Sequence, residues 1–308
     1  MTRAIEVEEL SKLFYTRRKQ SFFAGLFRPE YKEKKVVDEI SFSIEEGERV
    51  AFIGPNGAGK STTLKILTSI LHPTSGSANV LGLVPWKDRK LLSYKIGAVF
   101  GQRSQLWQHL SPIKSFELLA AIYSIPDATF RKRLNDLTET FVIAELMDKP
   151  VRTFSLGERM RCEIVASLLH NPKILFLDEP TIGLDIVAKA KIREVLRELN
   201  RKEGTTILLT SHDTGDMENV CGRAIIINHG KIVIDEKITE LRATYLSKKI
   251  ITAKTNRGKV IEQEVDIKET PIQIALQKII EDISPVDLTI EDPSMEKIIK
   301  TIYDRKEP

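Results

Sequence analysis

The chain has 308 residues, of which 42% are hydrophobic, and this is long enough for one large globular domain and a smaller one. Its apolar runs are well short of the roughly 20 residues that cross a membrane, and its N-terminus lacks a signal-peptide core. Two distant cysteines, Cys162 and Cys221, indicate neither a disulfide framework nor a metal site, and we expect both in the core of a protein from a reducing cytosol. The net charge of +4 gives no indication of general affinity for nucleic acid.

The first predicted elements are strands at residues 5–7 and 36–44, separated by a basic insertion at residues 16–35. The insertion holds seven cationic side chains against two acidic ones, a charge of +5, so the rest of the chain is nearly neutral. One helical face of the insertion would carry four apolar side chains, those of Phe22, Phe23, Leu26 and Phe27. Basic amphipathic segments are typical of membrane surfaces, which favours contact with anionic headgroups or with a membrane subunit. The alternative is a loop whose aromatic side chains fold back onto the domain.

A glycine-rich motif follows the next predicted strand, residues 49–53, and precedes a helix with one apolar face, residues 62–70. The motif consists of Gly54, Pro55, Asn56, Gly57, Ala58, Gly59, Lys60 and Ser61, which fits Gly-x-x-x-x-Gly-Lys-Ser. Between a strand and a helix, such glycines turn several backbone N–H groups toward one phosphate, and the helix N-terminus adds a positive dipole. The sequence therefore predicts a nucleoside triphosphate here, with Lys60 on its β- and γ-phosphates, Ser61 on Mg²⁺ and Thr62 as a further contact.

The middle of the chain changes from strand patterns to helical spacing and back. Strands are predicted at residues 78–81 and 95–100 and, after a helical block, at residues 174–177 and 206–210. The block spans about residues 103–171, with candidate helices at residues 115–123, 130–146 and 156–170. This order is typical of an α/β core into which a helical subdomain has been inserted.

Two acidic residues, Asp178 and Glu179, follow the apolar strand at residues 174–177. The carboxyl end of a strand beside a phosphate loop is where ligands bind in open α/β sheets. We therefore expect Asp178 to hold Mg²⁺, usually through a water molecule. Glu179 can then orient or deprotonate the water that attacks the γ-phosphorus.

Residues 154–161, ahead of this strand, resemble the Leu-Ser-Gly-Gly-Gln signature of ATP-binding-cassette (ABC) ATPases. Other motifs of the family occur in the family's order: Gln102 matches the Gln-loop residue, residues 182–185 match the loop after the catalytic acid, and His212 matches the switch histidine. The resemblance covers about residues 5–238, and the ordered set of motifs is much more specific than any one alone. Residues 101–107 and the C-terminal part are similar to the ATPases of ABC-2-type exporters.

The resemblance implies an α/β fold, the P-loop ABC cassette, with a mixed sheet core, an N-terminal antiparallel β part and an inserted helical subdomain. We expect this ATPase domain at residues 1–240. Residues 241–308 alternate between strand, turn and helix patterns, which predicts a small accessory α+β domain as a C-terminal tail.

The resemblance also implies the cofactors, ATP and Mg²⁺, and the residues that bind them. Three residues would ligate Mg²⁺: Ser61, Gln102 and Asp178. The switch residue His212 would sense the γ-phosphate. An aromatic side chain near the first strand would stack on adenine, and Phe14 fits the spacing, with Tyr15 as the close alternative. Further nucleotide contacts would come from the signature and from the loop after the catalytic acid: Ser155, Gly157 and Asp185.

The signature departs from the family pattern at Phe154, Leu156 and Glu158. Phe154 keeps an apolar residue, Leu156 replaces the first glycine, and Glu158 replaces glutamine with a negative charge that Arg159 or Arg161 can pair. The Ser155 hydroxyl and the Gly157 N–H, which the family uses on the γ-phosphate, are retained.

In the family, two subunits pack head to tail, and each presents the positive end of its signature helix to the other's ATP. The resemblance therefore implies a homodimer that closes on ATP and opens after phosphate release. It also implies a separate polytopic membrane permease as partner and a peripheral position at the cytoplasmic face of the cell membrane. Trp107, close after Gln102, would suit docking of a partner helix if exposed, and packing in the local core is the alternative.

Two other functions belong to different classes. The first is a soluble ABC ATPase that acts on nucleic acid or ribosomes. It is disfavoured because only about 95 residues separate Lys60 from Ser155, too few for the coiled-coil arms of repair members, and the chain has one cassette where translation factors usually have two. The second is a regulatory cassette without hydrolysis, which is disfavoured because Asp178, Glu179 and His212 are all present. We expect no nucleic-acid partner.

Overall fold

The computed structural model describes residues 2–17, 31–101, 104–245, 248–255 and 259–305. Gln102 and residues 18–30 of the basic insertion, which include its four apolar residues, lie outside the described residues. The chain divides into two compact units, Met1–Asp235 and Glu236–Pro308. The boundary predicted from the sequence, after residue 240, lies five residues further along.

The first unit contains two sheets. Its strands are β1 (Arg3–Arg17), β2 (Tyr31–Glu45), β3 (Arg49–Ile53), β4 (Ser75–Val80), β5 (Ile96–Phe100), β6 (Ile174–Asp178), β7 (Thr206–Ser211), β8 (Arg223–Asn228) and β9 (Lys231–Lys237). Among the described residues, β2, β1 and β4 form an antiparallel sheet in that order. The other sheet has the order β5-β6-β7-β3-β8-β9, and its strands from β5 to β8 run parallel. The carboxyl ends of these parallel strands therefore meet at one edge of the sheet.

The helices of this unit connect the parallel strands. They are α1 (Lys60–Leu67), α2 (Arg89–Ser93), α3 (Pro112–Ile122), α4 (Asp127–Phe141), α5 (Leu156–Leu168), α6 (Ile186–Glu203) and α7 (Thr214–Val220). Helices α3 to α5 make up the block between β5 and β6. The prediction of one helix over residues 130–146 is wrong: α4 ends at Phe141 because Val142 has a left-handed backbone, with φ of 51°, and a separate 3-10 turn follows at Ala144–Leu146.

The main apolar core joins the two sheets and α1. Four consecutive residues of β3 are buried, as is usual for a strand covered on both faces. Phe42 of β2 contacts Phe52 of β3, with ring centroids 5.7 Å apart, and α1 contributes the fully buried Leu64 and Leu67. Because β3 and α1 are both fixed in this core, the loop between them is held at the carboxyl edge of the parallel strands.

The second unit is small and of α+β type. Its elements are α8 (Ile238–Tyr245), β10 (Lys248–Lys254), β11 (Val260–Asp266), α9 (Ile272–Ile283), β12 (Asp287–Glu291) and α10 (Met295–Arg305). The strands form an antiparallel sheet in the order β11-β10-β12. Ala275 and Ile279 of α9 pack with Ile251 and Ala253 of β10 in its core. In the part of the chain that the structure describes, every helix is too short or too polar to cross a bilayer.

Both cysteines lie in the core of the first unit, and neither is in a disulfide. Burial raises the pKa of the Cys162 thiol to about 12 and also raises the pKa of Cys221. Because the thiolate is the reactive form, we expect neither cysteine of the native protein to react with DTNB at pH 8. Both should react in guanidinium chloride. Rapid labelling of the native protein would contradict this packing.

Candidate nucleotide site

A cavity of about 480 Å³ lies at the carboxyl ends of β5 and β6, beside α1. It is lined by Phe14, Ser61, Thr62, Lys65, Ile70, Leu71, Phe100, Gly101, Asp178, Glu179 and Ile182. Phe14, predicted to stack on adenine, thus lines the same cavity as Asp178 and Glu179, which are predicted to act at the phosphates, although β1 and β6 are far apart in the chain. Phe14 lines this cavity, whereas Tyr15 does not. The Lys12 Nζ lies over the Phe14 ring, 5.3 Å from the ring centroid.

The phosphate loop passes very close to neighbouring backbone. A Cβ on Gly54 would lie 2.4 Å from the Ile227 carbonyl oxygen. Gly59 has a φ of 112°, and a Cβ there would lie 2.6 Å from the Val36 carbonyl oxygen. Only glycine fits at these two positions, because any side chain would clash with main-chain atoms. The loop tip, residues 55–57, is exposed.

The ammonium group of Lys60 is almost fully buried, with 6% of the residue exposed. Its Nζ donates to the carbonyl oxygens of Gly54, at 2.6 Å, and Pro55, at 3.3 Å. Glu179 Oε1 lies 3.6 Å from the same nitrogen. The cation is therefore held inside the loop mainly by neutral acceptors, and phosphate oxygens would be stronger partners for it.

Asp178 joins two elements through one carboxylate oxygen. Its Oδ1 accepts hydrogen bonds from the Ser61 hydroxyl, at 2.9 Å, and from the Thr210 hydroxyl, at 2.6 Å. A hydroxyl and a carboxylate are hard oxygen ligands, so this pair fits Mg²⁺ shared with the phosphates of a substrate. Gln102, the third predicted ligand, lies outside the described residues. Thr210 was not predicted as a site residue, although a hydroxyl at the end of β7 was visible in the sequence.

The carboxylate of Glu179 lies between His212 and Lys60. His212 Nδ1 lies 2.7 Å from Glu179 Oε2, on the side opposite to the contact of Oε1 with Lys60. The backbone of Glu179 is left-handed, with φ of 56°, and its N–H donates to the Thr210 carbonyl oxygen at 3.1 Å. Such a strained backbone persists only where its surroundings fix it. The sequence predicted a role for His212 at the γ-phosphate but did not predict its contact with Glu179.

The signature helix α5 begins with a capping box. The Ser155 hydroxyl accepts from the Glu158 N–H at 3.3 Å, and the Glu158 carboxylate accepts from the Ser155 N–H at 2.8 Å. The hydrogen bond from the Ser155 N–H holds the pKa of Glu158 below its usual value. Arg161, one of the two cations that could pair with Glu158, donates to the carbonyl oxygens of Phe141 and Val142, and its charge also lowers the pKa of Glu158.

The start of α5 packs against the loop that follows the catalytic acid. A Cβ on Gly183 would lie 2.9 Å from Leu156 Cδ2, and one on Gly157 would lie 3.0 Å from Ala188 Cβ. Leu156, which replaces a glycine of the family pattern, therefore fills the space over Gly183. Asp185 caps α6, because its Oδ1 accepts from the Ala188 N–H at 2.8 Å.

The predicted site residues thus form two groups. In the first group, Ser61 contacts Asp178, and the adjacent Glu179 contacts Lys60 and His212. Ser61, Asp178 and Glu179 of this group line the cavity. The other group consists of Ser155, Gly157 and Asp185, none of which lines that cavity. Ser155 and Asp185 are exposed.

A buried ionic network supports the site from behind. Asp216 of α7 is 1% exposed and accepts hydrogen bonds from Arg193 Nε, Ser211 Oγ and Thr181 Oγ1. Arg193 also contacts Asp213, at 3.2 Å. Through Asp216 and Arg193, the network links Thr181, which follows Glu179 by two residues, and Ser211 and Asp213, which flank His212, to α6. The sequence did not predict this network.

Comparison with known proteins identifies the family. The ABC transporter family profile matches residues 37–182. The ABC transporter ATP-binding protein NatA of Bacillus subtilis (strain 168) is 32% identical, over 67% of this chain and 84% of NatA. The Nod factor export ATP-binding protein I of Ralstonia nicotianae is 35% identical, over 70% of this chain and 66% of that protein. The dimeric ATP-binding cassette MJ0796, solved in a post-hydrolysis state with ADP and Pi, has a TM-score of 0.64 and 26% identity, over 76% of this chain and 98% of that one.

The chain belongs to the ABC transporter family, and it is an ATP-binding subunit with ATPase activity. The predicted fold class, a P-loop ABC cassette with an inserted helical part, is confirmed by the solved cassette. The recognition of the family from its ordered motifs is confirmed as well.

Replacing Asp216 with alanine should strongly destabilise the first unit. The change removes the acceptor of three hydrogen bonds and leaves the Arg193 guanidinium with a weaker partner. We expect the free energy of unfolding to fall by about 3 kcal/mol, measured by urea denaturation.

The matched control is Glu194→Ala on α6, which removes the exposed ion pair between Lys191 and Glu194. Its effect should stay below about 0.5 kcal/mol. Equal effects of the two substitutions would contradict a supporting role for the buried network.

Proposed function

We propose that this ATPase drives an exporter, and that two copies close on ATP to move a separate polytopic membrane permease. One observation carries the proposal: Ser61, Asp178 and Glu179 line a cavity, while Ser155 of the signature is exposed and does not line it. A signature that does not reach its own chain's cavity can serve the nucleotide of a second copy. Support comes from the similarity to a dimeric cassette and to a protein named for Nod factor export.

In the proposed site, ATP is the substrate, and the loop N–H groups together with Lys60 bind its phosphates. Phe14, at the rim of the cavity, stacks on adenine. Mg²⁺ would be held by Ser61, Gln102 and Asp178, and would supply positive charge to the β- and γ-phosphates. To ligate the metal, the Ser61 hydroxyl would give up its hydrogen bond to Asp178.

Glu179 accepts a proton from the water that attacks the γ-phosphorus, and the products are ADP and phosphate. His212 holds one carboxylate oxygen of Glu179 at 2.7 Å, and the other oxygen lies 3.6 Å from Lys60 Nζ, so the orientation of the carboxylate is fixed. His212 also donates to the γ-phosphate once the nucleotide is in place.

The signature completes the site of the other copy. The Ser155 hydroxyl accepts a hydrogen bond from Glu158, which leaves its own O–H to donate to a γ-phosphate oxygen. The Gly157 N–H and the positive end of α5 add to this contact, and Asp185 approaches the same nucleotide. Loss of the γ-phosphate removes these contacts, so the two copies separate.

Two substitutions separate binding from hydrolysis. Glu179→Gln should bind ATP and form a stable dimer in size-exclusion chromatography, while its turnover falls at least about a hundredfold because the base is gone. Lys60→Ala should lose ATP binding and stay monomeric, because the phosphates lose their buried cation. The control is ADP, which should not dimerise either variant. Normal turnover by Glu179→Gln would overturn the assignment of the base.

We also propose a peripheral position at the cytoplasmic face of the membrane, with the basic insertion at residues 16–35 toward anionic headgroups or the membrane subunit. The charge of +5 in this segment supports it. Co-purification with a multi-spanning membrane protein, rather than with ribosomes or DNA, separates this function from that of a soluble ABC ATPase.

Neutralising Arg17, Arg18 and Lys19 with glutamine should weaken binding to vesicles that contain phosphatidylserine. Each cation near an anionic surface contributes about 1 kcal/mol, so we expect at least about a tenfold loss at low salt. The loss should shrink at high salt. The control removes three exposed cations of the helical block, Lys114, Arg131 and Lys132, and should have little effect. An unchanged salt response would count against the proposed contact.

A further inference from the structure

The signature helix α5 contains a buried acidic residue, Glu163, that the proposed ATPase mechanism does not use. It is 3% exposed, and it lies eight residues after Ser155, about 12 Å along the helix axis. A buried carboxylate is costly unless both of its oxygens have hydrogen-bond partners. The hydrogen-bond partners of Glu163 therefore indicate its structural role.

Both oxygens of Glu163 bind the segment that leads away from β5. Its Oε2 accepts from the Gln105 N–H at 3.0 Å, and its Oε1 accepts from the Ser104 hydroxyl. The Ser104 oxygen in turn accepts from the Leu106 N–H at 3.1 Å. Burial raises the pKa of Glu163, and the hydrogen bond from Ser104 opposes that change. The carboxylate thus fixes three consecutive residues to α5.

The same segment is fixed to the sheet and ends at an exposed aromatic residue. The Gln105 side chain donates to the Ala98 carbonyl oxygen of β5 at 3.0 Å, and Leu106 is buried. Trp107, the next residue, is 43% exposed. The sequence left open whether Trp107 is exposed or packed in the core, and the structure places it at the surface.

The start of this connection is fixed as well. The Gly101 N–H donates to the Asp178 carbonyl oxygen at 3.0 Å, and a Cβ on Gly101 would lie 3.1 Å from the Glu179 carbonyl oxygen. The chain that leaves β5 is therefore attached to the strand of the predicted base at one end. At the other end it is attached to the signature helix.

We propose that Glu163 is a positioning residue that ties residues 104–106 to the signature helix, so that the surface at Trp107 and the phosphate contact at Ser155 move together. This inference rests on the proposed function, which gives Ser155 its phosphate. It adds a specific mechanical link between the nucleotide end of α5 and an exposed surface. The link should affect turnover more than ATP affinity, because Glu163 does not line the nucleotide cavity.

The link depends on hydrogen-bond geometry and not on charge, so we expect Glu163→Gln to preserve it. The amide oxygen of Gln can accept from the Gln105 N–H, and the amide nitrogen can donate to the Ser104 oxygen. The Ser104 O–H can then turn to the Leu106 carbonyl oxygen, which is 3.1 Å away. Alanine, in contrast, leaves the Gln105 N–H without its acceptor and removes the tie to the Ser104 hydroxyl.

The test uses the 308-residue chain with Trp86→Phe, which leaves Trp107 as the one remaining tryptophan of the two in that sequence. Two quantities are measured: ATPase kinetics, and quenching of Trp107 fluorescence by acrylamide. We expect Glu163→Ala to lower kcat about tenfold, with KM for ATP within about twofold. Quenching of Trp107 should increase about twofold as its segment is released. Glu163→Gln should stay close to the parent in both.

The matched control is Ser167→Ala, one turn further along α5. Ser167 is equally buried, but its hydroxyl bonds only the Ile164 carbonyl oxygen of its own helix. It should leave kcat and quenching unchanged. If Glu163→Ala does not fold, Ser104→Ala removes one of the two ties and should lower kcat about threefold.

Three results would overturn the inference. The first is that Glu163→Ala changes kcat and quenching no more than Ser167→Ala does. The second is that Glu163→Gln loses as much kcat as Glu163→Ala. The third is that Glu163→Ala changes only KM. A parent chain that neither binds nor hydrolyses ATP would instead refute the proposed function. The quenching measurement would still report whether Glu163 holds residues 104–107.

Discussion

The Oδ1 atom of Asp178 is the point on which the nucleotide site depends. It accepts from Ser61 at the start of α1 and from Thr210 at the end of β7, while Asp178 itself ends β6. The register of the parallel sheet makes this possible, because Asp178 pairs with Thr210 and Ile53 pairs with Ser211 across neighbouring strands. A slip of one residue in β6 would turn the Asp178 side chain to the other face of the sheet. The phosphate loop and the acids would then no longer share a cavity.

The polar side chains behind this edge keep it in a single arrangement. Asp216 binds the hydroxyl groups of Thr181 and Ser211, and these two residues stand next to the turn of Glu179 and next to His212. The left-handed backbone of Glu179 is thus enclosed by fixed neighbours, which explains how the strained conformation is retained. The position of the base is set by elements from three different parts of the chain.

The signature helix is adapted in the same way to residues that differ from the family pattern. Glu158 satisfies the first N–H groups of α5 through the capping box, and Leu156 covers Gly183. Leu156 and Glu158 thus each have a local partner, and Ser155 remains exposed. Glu163, about two turns further along, binds Ser104 and Gln105 and so connects α5 to the segment that precedes Trp107.

The sequence by itself determined the parts of the site that lie in one short segment. The strand, glycine loop and helix around Lys60 are adjacent in the chain, so their pattern predicted both the fold of the loop and its ligand class. The local pattern was wrong for α4, where a left-handed Val142 ends the helix, and it did not predict the capping box of Glu158. Only the tertiary structure decided the contacts of His212 with Glu179 and of Glu163 with Ser104. These pairs are 33 and 59 positions apart, and no local pattern of apolar and polar residues specifies which distant side chains the sheet register and helix packing bring together.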